Sequence, residues 1–218
     1  MFIGHFAVGF AAKAVAPRAS LGTFFLAGQL LDLIWPPLVL LGVEQVRIVP
    51  GFTAFTPLEF VSYPYSHSLL LAALWGALLA VGYGLARRDA RTALWLGLAV
   101  VSHWVLDWIS HAPDMPLVPG GARYGLGLWN SVAATLAVEG GLFAVGLALY
   151  VAATRPRNRS GGVLLWSLVA VLLLVYLANL FTVPPPGAAA VAGAGLGIWL
   201  FVAWGYACDA RREAVPRA

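Results

Sequence analysis

Residues 102–114, Ser-His-Trp-Val-Leu-Asp-Trp-Ile-Ser-His-Ala-Pro-Asp, set four ionisable side chains inside or against an apolar run. At 3.6 residues per turn, positions four apart drift by only about 40°, so His103, Asp107 and His111 share one helix face. Neutral imidazole and carboxylate are good ligands for zinc and its neighbours, and two ligands one turn apart can hold a single ion. His103 and His111 lie roughly 12 Å apart along the axis, too far to share an ion easily, while Asp107 stands between them with two oxygens. The spacing therefore predicts two ions bridged by the Asp107 carboxylate, with His111 serving one and His103 the other. The plainer alternative is a row of polar residues satisfied by their helix neighbours.

Composition weighs against the plainer alternative. Of 218 residues, 61% are hydrophobic and 10% charged, and the mean hydropathy is +0.86. Several apolar runs approach twenty residues, so the expected fold class is all-α: a polytopic integral membrane protein of one domain. Ionisable groups facing lipid are costly, which makes intramembrane His and Asp functional candidates by default. The single Cys208 excludes an internal disulfide or a cysteine-rich zinc cluster, leaving His, Asp and Glu as ligands. The net charge of +4 sits in short connections between apolar runs. It reports topology and argues against a nucleic-acid partner.

About seven spans are expected. Residues 1–17 form a short retained helix with His5. Residues 21–43 form a second span with Asp32 near its middle, just before a kink expected at Pro36-Pro37. The alternative for Asp32 is burial against Gln29. A polar, Pro-containing connection over 44–65 is too irregular to cross lipid. It leads into Ser66-His67-Ser68, where the serines can cap a helix, support His67 or touch substrate. The third span runs to 86, and the fourth carries the stretch described above. Residues 114–130 make a Gly- and Pro-rich loop holding Arg123. Spans at 131–154, 163–183 and 188–207 follow, with Glu139 about two turns into the first of these. The last two contain no ionisable residue and read as scaffold. Thus 1–130 is the half expected to hold the metal site, 131–207 mainly scaffold, and 208–218 a cytoplasmic tail.

Arginine clusters at 87–91, 155–159 and 211–217 follow every second span, and cytoplasmic loops are the ones enriched in Lys and Arg. That puts the carboxyl terminus inside, the amino terminus outside, and residues 44–65 and 114–130 outside. Every histidine then falls in the outer half of the bilayer or at its outer surface. Convergence on one extracytoplasmic site is the economical reading.

The motifs Gly4-His5, Gly28 to Asp32, Tyr65-Ser66-His67-Ser68-Leu69 and Ser102-His103 to Asp107, continuing to Pro116-Leu117, resemble the bacterial inner-membrane metal-dependent hydrolase family, also called LexA-binding. The likeness covers roughly residues 1–130, and the pattern is distantly similar to zinc-dependent phospholipase C and P1-type nucleases. It implies an inner-membrane location and His5, Asp32, His67, His103 and Asp107 as metal ligands. Family members often carry an Asp where this chain has Ile34 and a His where it has Ser62. His111 and Glu139 are the candidate replacements.

The resulting expectation is a membrane-embedded hydrolase with one or two divalent ions, zinc first, acting on a phosphoester or ester of a membrane lipid. Asp32 or Glu139 is the candidate base, while Arg123, Ser66 and Ser68 are candidate substrate contacts. Two rivals are a seven-helix zinc amidase of the ceramidase type and a non-enzymatic metal or proton carrier. A carrier needs ligands reachable from both faces.

Overall fold

The computed structural model describes residues 1–215; residues 216–218 of the expected tail lie outside it. It contains helices α1 (Ile3–Val15), α2 (Leu21–Gly28), α3 (Leu30–Leu40), α4 (Pro64–His67), α5 (Leu69–Arg87), α6 (Ala90–Ser110), α7 (Val132–Ala153), α8 (Arg159–Ala178), α9 (Ala188–Gly195) and α10 (Ile198–Ala210). Five spans in it are long and apolar enough to cross a bilayer, α9 and α10 together making one of them, and six if the bent α2–α3 pair counts as a span. The seventh expected crossing is α1, whose 13 residues fall short of the roughly 20 a perpendicular crossing needs.

α1 is instead the central element. Ile3, Phe6 and Phe10 are fully buried, and only a stripe through Val8, Ala11 and Val15 is left half-buried, the pattern of a helix enclosed by its neighbours. It packs against α7 at a point where a Cβ on Gly146 would lie 2.3 Å from the Ala7 carbonyl oxygen. Near its carboxyl end Lys13 donates to the carbonyls of Pro17 (2.9 Å) and Ala19 (2.8 Å) and to Asp209 (2.7 Å). These donations satisfy the ammonium inside the bundle. At the other extreme α5 lies on the periphery, where Leu70, Leu74, Leu78, Val81 and Leu85 line an exposed stripe of helical period.

The longer helices begin where short polar side chains accept the first free amides. Ser20 accepts from Thr23, Ser68 from Leu71, Asp89 from Thr92, Ser131 from Ala134 and Asn158 from Gly161. The expected kink lies elsewhere than at the proline pair. α3 runs through Pro36 and Pro37, and the 53° bend falls at Gln29, which leaves helical backbone angles between α2 and α3. Gly28 precedes the break and has the His5 carbonyl oxygen 2.9 Å from where a Cβ would stand, so a close helix crossing fixes the bend.

The all-helical expectation is also modified by three two-stranded antiparallel ribbons: β1 (Gln45–Ile48) with β2 (Leu58–Ser62), β3 (Met115–Pro116) with β4 (Arg123–Tyr124), and β5 (Thr154–Pro156) with β6 (Arg212–Ala214). The first replaces most of the irregular 44–65 connection. Its register pairs Arg47 with Glu59 (3.1 Å between charges) and Val46 with Phe60. Phe60 packs on Trp35 (5.5 Å between centroids) and on His111 (4.7 Å), which folds the ribbon over the polar cluster below. Span six also stops early, with α8 ending at Ala178.

The α1–α7 contact generates a prediction. Gly146→Ala forces backbone apart and lowers stability by about 1–3 kcal/mol, whereas Gly141→Ala, which meets nothing within 4 Å, leaves it unchanged. Thermal unfolding in detergent checks this, and equal midpoints for the two variants would refute the close crossing.

Candidate metal centre

His5 from α1, Asp32 from α3, His67 from α4, and His103 and Asp107 from α6 meet in one buried cluster, joined by His111 from the turn just after α6. His5 Nε2 lies 3.1 Å from Asp107 Oδ1, and His103 Nε2 lies 3.1 Å from Asp107 Oδ2. His67 Nε2 is 3.5 Å from Asp32 and 3.7 Å from Asp107, while His103 Nε2 is 3.8 Å from Asp32. The rings of His5 and His103 stack at 3.6 Å with 2° between planes. The Met1 amino group contacts the same Asp107 oxygen as His5.

Hydrogen bonds on the far side of three histidines decide what faces the cluster. His103 Nδ1 is 2.7 Å from the Gly28 carbonyl oxygen, which only accepts, so Nδ1 carries the proton. That carbonyl stands at the end of α2, where a broken helix leaves carbonyls without intrahelical partners. His67 Nδ1 is 2.7 Å from Ser66 Oγ, whose single proton goes to Glu44 Oε2 at 2.6 Å. Nδ1 must therefore donate to the serine. Glu44 is buried and held in turn by the amides of Tyr65 (2.8 Å) and Ser66 (2.9 Å). His111 Nδ1 donates to Asp114 (3.0 Å), which also accepts from Tyr63 (2.6 Å). Burial and the adjacent Asp114 carboxylate hold the Tyr63 phenol well above its usual range, so it stays a donor.

All three rings consequently turn an unprotonated Nε2 toward carboxylate oxygens. Acceptor opposes acceptor in a nearly dry interior, an arrangement that costs free energy unless a cation sits between. The residues thus fit a divalent ion: two sets, His5, His103 and Asp107, and Asp32, His67 and His103, each bring one ligand atom per residue within 4.8 Å of one another. His103 belongs to both sets, which differs from the sequence expectation that it serves one ion and His111 the other. His111 leaves the helix as its carboxyl cap and belongs to neither set, with Nε2 3.8 Å from Asp107.

The remaining candidates separate by place. Glu139 is fully buried on α7 and accepts the amides of Phe2 (2.9 Å) and Gly4 (3.5 Å), capping α1 from outside the ligand sets. Ser68 caps α5, while Ser66 carries the relay from His67 to Glu44. Arg123 is exposed on β4 and borders a separate surface hollow with Tyr63 and Pro64. Glu44 and Asp114 are the outer partners that sequence reasoning did not assign. Asp114 stands three residues after His111, a local spacing that could have marked it, whereas Glu44 reaches His67 only through the folded 44–65 connection.

A cavity of about 590 Å³ reaches Asp32, His67, Asp107 and His111 at one end. From there it extends between α8, α9 and α10 past Val171, Val175, Val191, Ile198, Leu200 and Phe201. The two helical segments read as scaffold therefore form one wall of the site.

The relay through Ser66 generates a second prediction. Zinc affinity, measured by competition with a chromophoric chelator, falls about 10–100-fold in Glu44→Gln. Ser68→Ala leaves affinity intact and lowers stability by about 1 kcal/mol. Equal affinities for wild type and Glu44→Gln would detach Glu44 from the centre.

Residues 1–183 match the family model described as YdjM inner membrane protein. No curated protein and no solved structure matched the chain. The match carries membership and a membrane location rather than an activity, and it extends past the expected likeness over 1–130 through α8. With the apolar spans of the fold, it makes the chain a multi-pass inner-membrane protein that belongs to the YdjM family.

Proposed function

We propose that this protein is a membrane-embedded, metal-dependent hydrolase of a lipid ester or phosphoester, its site on the extracytoplasmic side. The observation that carries the reading is the set of three Nε2 atoms, each fixed in its unprotonated form and turned toward Asp32 or Asp107, with His67, His111 and both carboxylates bordering one end of a largely apolar cavity. One or two zinc ions held there would polarise the scissile group's oxygen and lower the pKa of a water toward neutrality.

The chain's own residues divide the remaining tasks. Asp107 is 3% exposed and serves to hold the cluster together. Asp32 is 23% exposed at its side chain and borders the cavity, so it is the carboxylate able to take a proton from water near a substrate. Glu139, occupied by the α1 amides and away from the cavity, suits the base role less well. Recognition of substrate falls to the cavity walls rather than to Arg123.

A carrier suits the architecture less well than an enzyme. Between His5 and Lys13 on α1, Phe6 and Phe10 pack edge-on against Phe25 at 4.9 and 5.0 Å, and Phe10 meets Tyr150 at 5.3 Å. This aromatic layer lies between the cluster and the Lys13–Asp209 end. A through path would have to open it.

Two outcomes follow. Purified protein retains one or two zinc ions, and His103→Ala or Asp107→Ala removes most of them together with hydrolysis of lipid in mixed micelles; full activity in metal-free wild type would rule the mechanism out. For sidedness, single cysteines at Val118 and Arg157 in a Cys208→Ser background are treated with a membrane-impermeant thiol reagent. Val118→Cys reacts in intact cells and Arg157→Cys only after the membrane is opened, and the reverse pattern would move the site to the cytoplasmic face.

A further inference from the structure

The cavity holds a second set of polar groups that the hydrolase reading does not use. Trp35 from α3, Trp129 before α7 and Trp204 from α10 all border it, and the indole N–H of each is buried without a hydrogen-bond partner among the described residues. Trp35 is 6% exposed. An indole N–H can only donate, and buried donors are nearly always paired, so three orphans around one cavity call for a ligand with oxygen acceptors. The other walls narrow its chemistry. Beyond the cluster the lining is mostly aliphatic and aromatic, and among the described lining residues there is no Lys or Arg. Beyond the histidine cluster and the Met1 ammonium beside it the donors are neutral, so the part of a substrate that meets them carries carbonyl and hydroxyl oxygens rather than a charged headgroup.

The way in is also visible. Val175 on α8 and Leu200 on α10 both border the cavity, yet they are exposed on the outer surface of the bundle. A surface exposed between two apolar helices faces the bilayer, so the opening is lateral. A hydrocarbon chain lying against Val171, Val175, Ile198 and Leu200 would bring its head end toward the indoles and the histidine cluster. The cavity's volume falls within the roughly 300–1,000 Å³ typical of small-ligand sites.

We infer that the site selects an uncharged acyl ester: one hydrocarbon chain enters between α8 and α10, and Trp35, Trp129 and Trp204 bind the ester and alcohol oxygens. The inference rests on the lipid-hydrolase reading and chooses the neutral ester from the two linkages that reading allows. Its test reads binding, so it stands or falls separately from turnover.

Zinc-loaded wild-type protein in phosphatidylcholine nanodiscs is irradiated with a monoacylglycerol bearing a diazirine near the middle of its chain, and the labelled peptides are mapped by mass spectrometry. Label is expected on α8 and α10, displaced by excess plain monoacylglycerol and about tenfold less effectively by an alkylphosphocholine of equal chain length. Trp204→Phe keeps the ring and loses the donor, so labelling at limiting probe falls about three- to tenfold. Trp199→Phe, on the same helix and outside the cavity lining, leaves labelling unchanged. Equal displacement by the alkylphosphocholine would transfer the site to phosphoesters and overturn the choice of linkage. Label confined to the lipid-facing stripe of α5, or identical loss in both tryptophan variants, would overturn the cavity assignment. Specific labelling without hydrolysis would keep this inference and remove the hydrolase reading.

Discussion

A carboxylate 3% exposed in the middle of an apolar bundle is the constraint around which the rest of this fold is arranged. Asp107 cannot be solvated where it sits, and a buried anion persists only if other groups compensate it. His5 reaches it from α1, His67 from α4, and His103 and His111 from its own helix and that helix's carboxyl cap, and each of the latter three arrives with its proton on the wrong nitrogen to neutralise the charge. Those protons are committed to Gly28, Ser66 and Asp114. The Met1 ammonium reaches one Asp107 oxygen, while the outer hydrogen bonds leave three Nε2 lone pairs facing the carboxylates. Such an arrangement is expensive as pure structure and reasonable as the resting frame of a cation site.

The irregular parts of the fold serve that frame. The bend at Gln29 supplies a carbonyl for His103 and swings Asp32 under His67. The ribbon of β1 and β2 brings Phe60 down on His111, and the short α4 turn places Ser66 and His67 against Glu44. Regular helix would have done none of these. Non-helical backbone at membrane depth is tolerated where protein buries it, and here the breaks in α2–α3 and α9–α10 border the cluster and the cavity.

Much of the cluster was legible in the sequence because its residues sit at helical spacing or beside serines. His103 and Asp107 at one-turn separation, and a histidine flanked by Ser66 and Ser68, carry their chemistry in short stretches. The distribution of tasks between the two serines was open until capping geometry assigned Ser68 to α5 and Ser66 to the relay. Other features needed three dimensions. Residues 1–17 read as a short helix and the first of seven spans, whereas α1 lies at the centre, since burial against protein looks the same in sequence as exposure to lipid. Pro36 and Pro37 advertise a break that the chain makes seven residues earlier, at Gln29, where a glycine allows a neighbouring helix to come close. Spans without ionisable residues read as scaffold because apolar lining and apolar packing use the same side chains.

The Lys13–Asp209 pair bears on how this protein is made. Its partners lie 196 residues apart, so Lys13 is synthesised long before the carboxylate that pairs with it. Until α10 arrives, Lys13 has only the carbonyls of Pro17 and Ala19. Tyr150 donates to the same Asp209, and the β5–β6 ribbon ties the chain beyond α10 to the end of α7. The Lys13 end of the central helix is thereby locked by α10, which also completes the cavity wall. Pairing of Lys13 and closure of the cavity wall therefore both wait, in the order of synthesis, on the same segment, α10.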